Sequence, residues 1–107
     1  MEQMMGGDWP FDVPPGAAVV TTTYVTQRGE PIRFVTHERD ADEGIIWQFH
    51  CGNNDYSGEV LQLVRLDEVL AIDPSIRSLA KLPIGWCARR TSSSDAWVLA
   101  AEGNVRR

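Results

Sequence analysis

Two cysteines, two histidines and no apolar run approaching the roughly 20 residues that span a bilayer are what this chain has least of, and each shortage removes a class of protein. No membrane-spanning helix is expected. The start, Met1-Glu2-Gln3-Met4-Met5, places an acid and no Lys or Arg ahead of any apolar run, the wrong order for a secretory signal, so a cytoplasmic location is expected. In that reducing setting Cys51 and Cys87, both within strand-like apolar stretches, are expected to stay reduced and to behave as small buried hydrophobes. Basic residues are also scarce, with 10 Lys and Arg against 15 Asp and Glu and a net charge of −5. Nonspecific binding to nucleic acid or to an anionic membrane rests on neutralising phosphates with cations, and that balance argues against both. An acidic chain gains solubility from its charge, or attracts a basic partner.

The inventory for metal chemistry is His37, His50, Cys51 and Cys87. It contains no C-x-x-C and no H-x-x-x-H spacing, and adjacent His50 and Cys51 would leave a strand on opposite faces, so no metal or other cofactor is predicted. Neither a G-x-S-x-G elbow nor a Gly-rich phosphate loop occurs, and Ser92-Ser93-Ser94 falls where a hairpin turn is expected. No Cys or His carries a local signature of a nucleophile and its base. The chain is therefore read as a binding protein and not as an enzyme.

What is present suffices for one domain: 107 residues, 43% of them hydrophobic, make one ordinary core. Residues 1–16 hold three of the six prolines and show no sustained period, which reads as an extended N-terminal arm; Trp9 and Phe11 would pin it to the domain or to a second copy of the chain. The domain proper is read as 17–101, followed by a polar tail, 102–107. β-Branched residues from Ala17 to Gln27 predict a strand, and a turn at Arg28-Gly29-Glu30 predicts a hairpin with Pro31–His37. Alternation in Ile45–Cys51 predicts a third strand with Ile45, Trp47, Phe49 and Cys51 inward and Gln48 and His50 on the other face. Val60–Leu66 reads as a short strand leading into a helix capped by Asp67. Asp73-Pro74 is the clearest helix start, with Ile76, Leu79, Ala80 and Leu82 as its apolar stripe. Ile84–Arg90 and Ala96–Ala100 close the chain as a hairpin. The predicted class is α+β: a mostly antiparallel sheet of about five strands, with two short helices between the third or fourth strand and a C-terminal hairpin.

Acids concentrate in the expected loop Glu38-Arg39-Asp40-Ala41-Asp42-Glu43. A charge run on a loop needs no partner by default. As a functional feature, Glu38, Asp40, Asp42 and Glu43, with Asp55 in the next loop, would offer carboxylates to a basic protein, where charge complementarity raises association rate and selectivity. Trp47 and Trp86 lie within apolar alternation and read as core, whereas Trp9 and Trp97 lie near ends.

One set of residues recurs as a pattern: Trp47-Gln48-Phe49-His50-Cys51-Gly52, then Asp73-Pro74-Ser75-Ile76, then Leu79-Ala80-Lys81-Leu82-Pro83-Ile84-Gly85-Trp86-Cys87-Ala88-Arg89-Arg90, with Trp97 following. In this the chain resembles the thirty-third immunity-protein family of bacterial polymorphic-toxin systems over about Val19 to Trp97. A wider form of that family sets an acid, a small residue and Gly directly before the tryptophan, whereas here Ile45-Ile46 intervene after Asp42-Glu43-Gly44. The resemblance implies a cytoplasmic protein that binds and neutralises a cognate toxin, and it transfers no catalytic residues. A small-ligand-binding or regulatory domain, with a pocket between sheet and helices, is the alternative reading.

Overall fold

Alternation of large apolar and polar side chains makes a strand bury one face, and here that face organises the domain. The computed structural model describes residues 9–42 and 44–101. Its elements are β1 (Ala18–Thr22), α1 (Thr23–Thr26), β2 (Phe34–Asp40), β3 (Gly44–His50), β4 (Leu61–Arg65), α2 (Leu66–Ile72), a 3₁₀ helix (Pro74–Leu79), β5 (Trp86–Arg89) and β6 (Val98–Ala101). The strands form one six-stranded sheet in the order β4-β1-β3-β2-β5-β6. β1 runs parallel to β3, and the other neighbours are antiparallel. The fold is thus α+β, with the two helical segments between β4 and the closing β5–β6 hairpin, and with six strands where the sequence suggests about five.

The expected first hairpin does not form. The β-branched run ends as a strand at Thr22, and Thr23–Thr26 makes one helical turn. Tertiary contacts override the local preference there: Thr23 N–H donates to Val60 O at 2.9 Å, the Tyr24 hydroxyl donates to Asp55 at 2.6 Å, and Val25 is buried. That turn uses the residues that would have run up to Gly29, so β1 and β2 never meet, and β3 enters between them. A second correction concerns Glu38-Arg39-Asp40, expected as loop. These residues extend β2 and pair with Ile46, Ile45 and Gly44. The helix after β4 starts two residues earlier than a cap at Asp67 would place it, at Leu66 with Arg65 as the N-cap. Glu68 accepts from the Arg65 N–H at 3.0 Å, while Asp67, the expected cap, instead takes the Arg65 guanidinium at 2.8 and 3.0 Å.

Registers assign residues to the two faces of the sheet. Val19, Val35, Trp47, Phe49 and Ala88 point to one side, where Leu66, Val69, Ile76, Leu79 and Leu82 pack on them to make the core. Phe11, from the segment before β1, closes this core edge-on to Trp47, with ring centroids 5.3 Å apart. The Trp9 indole N–H donates to Val13 O at 2.7 Å. Trp86 is half-buried against the core and not enclosed by it, because its neighbour on the outer side is only Ala101 of the edge strand. Residues 1–8 and 102–107, the outer part of the expected arm and the expected tail, lie outside the described residues.

Two polar hubs hold the helical segment to the sheet. His37 stacks on Trp47 with centroids 3.9 Å apart; its Nδ1 faces Leu82 O at 2.7 Å and must carry the proton, since a carbonyl only accepts. Its main-chain oxygen accepts from Gly85 N–H at 2.6 Å. Gly85 holds φ +87°, a conformation costly for any residue with a Cβ, which explains the glycine in the turn into β5. Arg90 is the second hub, joined to Asp73 at 2.7 Å. Asp73 also caps the 3₁₀ helix, accepting from Ser75 N–H at 3.0 Å.

Candidate interaction surface

The opposite face of the sheet carries none of the core cluster. Its middle row crosses all six strands as Leu63, Val20, Gln48, Thr36, Cys87 and Ala100. The row beside it reads His50, Phe34, Arg89 and Val98. Leu63 and Val98, on the two edge strands, are 73% and 68% exposed. Leu61 is also exposed, and Val20 and Ile46 are half-buried. Large exposed apolar side chains thus stand at both margins of one sheet face.

A hydrogen-bonded relay runs through its centre. The Thr36 hydroxyl donates to Glu38 Oε2 at 2.7 Å, and the Gln48 amide N–H donates to the same oxygen at 3.2 Å. A carboxylate only accepts, so the Gln48 amide oxygen is turned to His50 Nε2 at 2.9 Å, and Nε2 carries the imidazole proton. Nδ1 is then a buried nitrogen with no hydrogen-bond partner among the described residues, and the His50 ring meets that of Tyr56 edge-on at 4.6 Å between centroids. Burial pushes the His50 pKa down to about 4, because a second proton would place charge, and a donor with no acceptor, out of reach of water.

Acid stability follows from that shift. The unfolded chain takes up this proton near pH 6.5 and the native chain only near pH 4, so the contribution of neutral His50 is complete above about pH 6.5. It declines as pH falls through the window between the two values, by about 3 kcal/mol in total. Urea denaturation of the wild type and of His50→Gln between pH 7 and pH 4 isolates this term, since their carboxylates are the same. The wild type should lose about 3 kcal/mol more than the variant; equal losses would show that His50 is not the group titrating.

Of the acids singled out in the sequence, Glu38 belongs to the relay and is half-buried. Asp40 and Asp42 are exposed at the β2–β3 turn, where Asp40 accepts from Asp42 N–H at 2.7 Å; Glu43 lies outside the described residues. Asp55 stands apart, in the loop after β3. It takes the Tyr24 hydroxyl, and that bond, with the Ser57 N–H, holds its carboxyl below the usual carboxylate range. The structure therefore groups Glu38, Asp40 and Asp42 at one end of the open face and separates Asp55 from them. Cys51 belongs to the core and Cys87 to the open face, both buried and not joined as a disulfide. Among the described residues no three His, Cys, Asp or Glu side chains are placed to hold a metal ion, and no helix is long and apolar enough to cross a membrane.

Three arginines that the sequence reading passed over meet at the other end of this face. Arg33, Arg89 and Arg90 line an open cleft of about 630 Å³ with Phe34, Asp95 and Val98. Phe34, Arg89 and Val98 come together only through the β2–β5 and β5–β6 registers, so no local motif could have signalled them. Comparison with protein families, curated proteins and solved structures finds no match for the chain.

Proposed function

We propose that this chain is a non-catalytic protein-binding domain that docks its partner on the open sheet face, and that it serves as an immunity protein against a toxin presenting a basic patch. The observation that carries the reading is that face itself. Exposed Leu61, Leu63 and Val98 stand at its margins, around a centre in which half-buried Gln48 and Glu38 cover the buried Thr36 and His50 through hydrogen bonds; apolar contact area beside hydrogen-bonded polar groups is what an interface uses. Glu38, Asp40 and Asp42 place carboxylates at one end of the face, where Lys or Arg of a basic partner would meet them. The resemblance to the immunity-protein family supplies the partner class. Its motif residues Trp47, Asp73, Gly85 and Arg90 serve the core and the two hubs, which leaves the open face as the surface for recognition.

The test pairs the protein with the products of its adjacent genes. A stable complex in size-exclusion chromatography, with loss of that product's toxicity on co-expression, is the expected result. Leu63→Arg should leave stability within about 0.5 kcal/mol and weaken the complex at least about tenfold. Asp42→Lys should mainly slow association. Failure of every neighbouring product to bind, or a complex indifferent to both substitutions, would overturn the proposal.

A further inference from the structure

We infer that the cleft between Arg33 and Arg89 is a binding site for an organic carboxylate with an apolar or planar body. The three guanidiniums that line the cleft differ in how many of their donors are already engaged. Arg90 is saturated: it donates to Ile32 O, Ser75 Oγ, Ser93 O and Asp73, and its charge is met by Asp73. Arg33 uses Nε on Cys51 O at 3.0 Å and one terminal nitrogen on Thr91 O at 3.4 Å, and its other terminal nitrogen meets no acceptor among the described residues. Arg89 is exposed, its guanidinium lies over the Phe34 ring at 4.2 Å, and that guanidinium donates no hydrogen bond among the described residues. Two guanidiniums without a carboxylate partner thus face one cleft in a chain whose net charge is −5.

Charge balance narrows the ligand. The acid lining the cleft is Asp95, whose carboxylate takes the Thr91 hydroxyl and stays below the usual carboxylate range. Arg33 and Arg89 against Asp95 leave one positive charge, which a monoanion neutralises and a doubly charged phosphate would exceed. The guanidinium fork matches the two oxygens of a carboxylate. Phe34, Ala96 and Val98 provide an apolar wall for the rest of the ligand. A planar body could also stack on the outer face of Arg89, in continuation of its stack on Phe34. The volume suits a small molecule or the last few residues of a chain. The cleft shares Val98 with the proposed docking face, but it uses the guanidinium end of that face and needs no basic partner.

Calorimetric titration of the intact protein with four probes tests the inference: benzoate, a pentapeptide ending in phenylalanine with a free carboxylate, the same peptide amidated at its C-terminus, and inorganic phosphate. At least one carboxylate should saturate below roughly 10 mM, with the amidated peptide weaker than the free peptide, or silent with it, and phosphate weaker than the tighter carboxylate. Benzoate binding more tightly than the peptide identifies a small metabolite as the ligand class, and the reverse order identifies a chain terminus. Arg89→Gln, at an exposed side chain, should shift the melting temperature little and weaken the bound carboxylate at least about tenfold, and Arg33→Gln should act in the same direction. No saturation with either carboxylate, equal binding of the free and amidated peptides, tighter binding of phosphate, or an unchanged affinity in Arg89→Gln would each overturn it.

Discussion

Trp47→Ala should remove about 3–5 kcal/mol of folding stability, the range for deleting a large aromatic from a packed core. The side chain is 1% exposed and is packed on three sides by rings. His37 is stacked 3.9 Å away, Phe49 lies parallel at 6.0 Å, and Phe11 meets it edge-on. Its indole N–H also points to Asp12 at 3.4 Å, so it ties the segment before β1 to the centre of the sheet. Against a total of about 5–15 kcal/mol for a domain of this kind, that loss shifts the urea midpoint far enough to measure directly. Trp47→Phe keeps a ring for His37 and should recover more than half of the loss. A loss under about 1 kcal/mol for Trp47→Ala would mean that Phe11 and the neighbouring side chains close the space, and that the core does not depend on this ring.

How far the fold could be read in advance depended on whether its signals were local. The alternation around Trp47 gave both faces of β3. Asp73-Pro74 marked the 3₁₀ helix because a capping carboxylate and a proline act within three residues of each other. The β5–β6 hairpin was visible because its two runs are joined by a short polar turn. The strand order was not legible. Placing β3 between β1 and β2 depends on the parallel Val20–Gln48 pairing, which no turn residue specifies. The helical turn at Thr23–Thr26 contradicts its own β-branched composition and exists through contacts with Asp55 and Val60, more than 30 residues away. The candidate surface inherits the same limit. Acids adjacent in sequence were easy to see, and three of them do cluster, whereas the row His50, Phe34, Arg89 and Val98 is assembled from four strands and leaves no trace at any fixed spacing.

Arg90→Ala should cost a similar amount, about 3–5 kcal/mol, for a different reason. Arg90 is buried between the start of β2, the 3₁₀ helix and the turn after β5. All five of its N–H donors are engaged, two on Ile32 O and the others on Ser75, Ser93 and Asp73, and its guanidinium carbon lies 4.0 Å from the Trp97 ring centroid. Truncation removes the guanidinium from the Asp73 carboxylate, 18% exposed, which keeps only its Ser75 donors on the other oxygen, and takes both Arg90 donors from the buried Ile32 carbonyl; an uncompensated partner of a buried pair is what makes its rupture expensive. Lysine is not an adequate substitute: three donors on a point charge cannot reproduce a planar fork that serves four acceptor groups, so Arg90→Lys should regain less than half of the loss. Asp73→Ala with Arg90→Met should cost less than the two single losses added together, because the double variant leaves neither charge unpaired. Salt separates this arrangement from a surface ion pair. A pair this enclosed is little screened, so the loss in Arg90→Ala should persist in about 1 M NaCl; a loss that shrinks below about 1 kcal/mol there would place Arg90 among exposed ion pairs, whose net contribution is small.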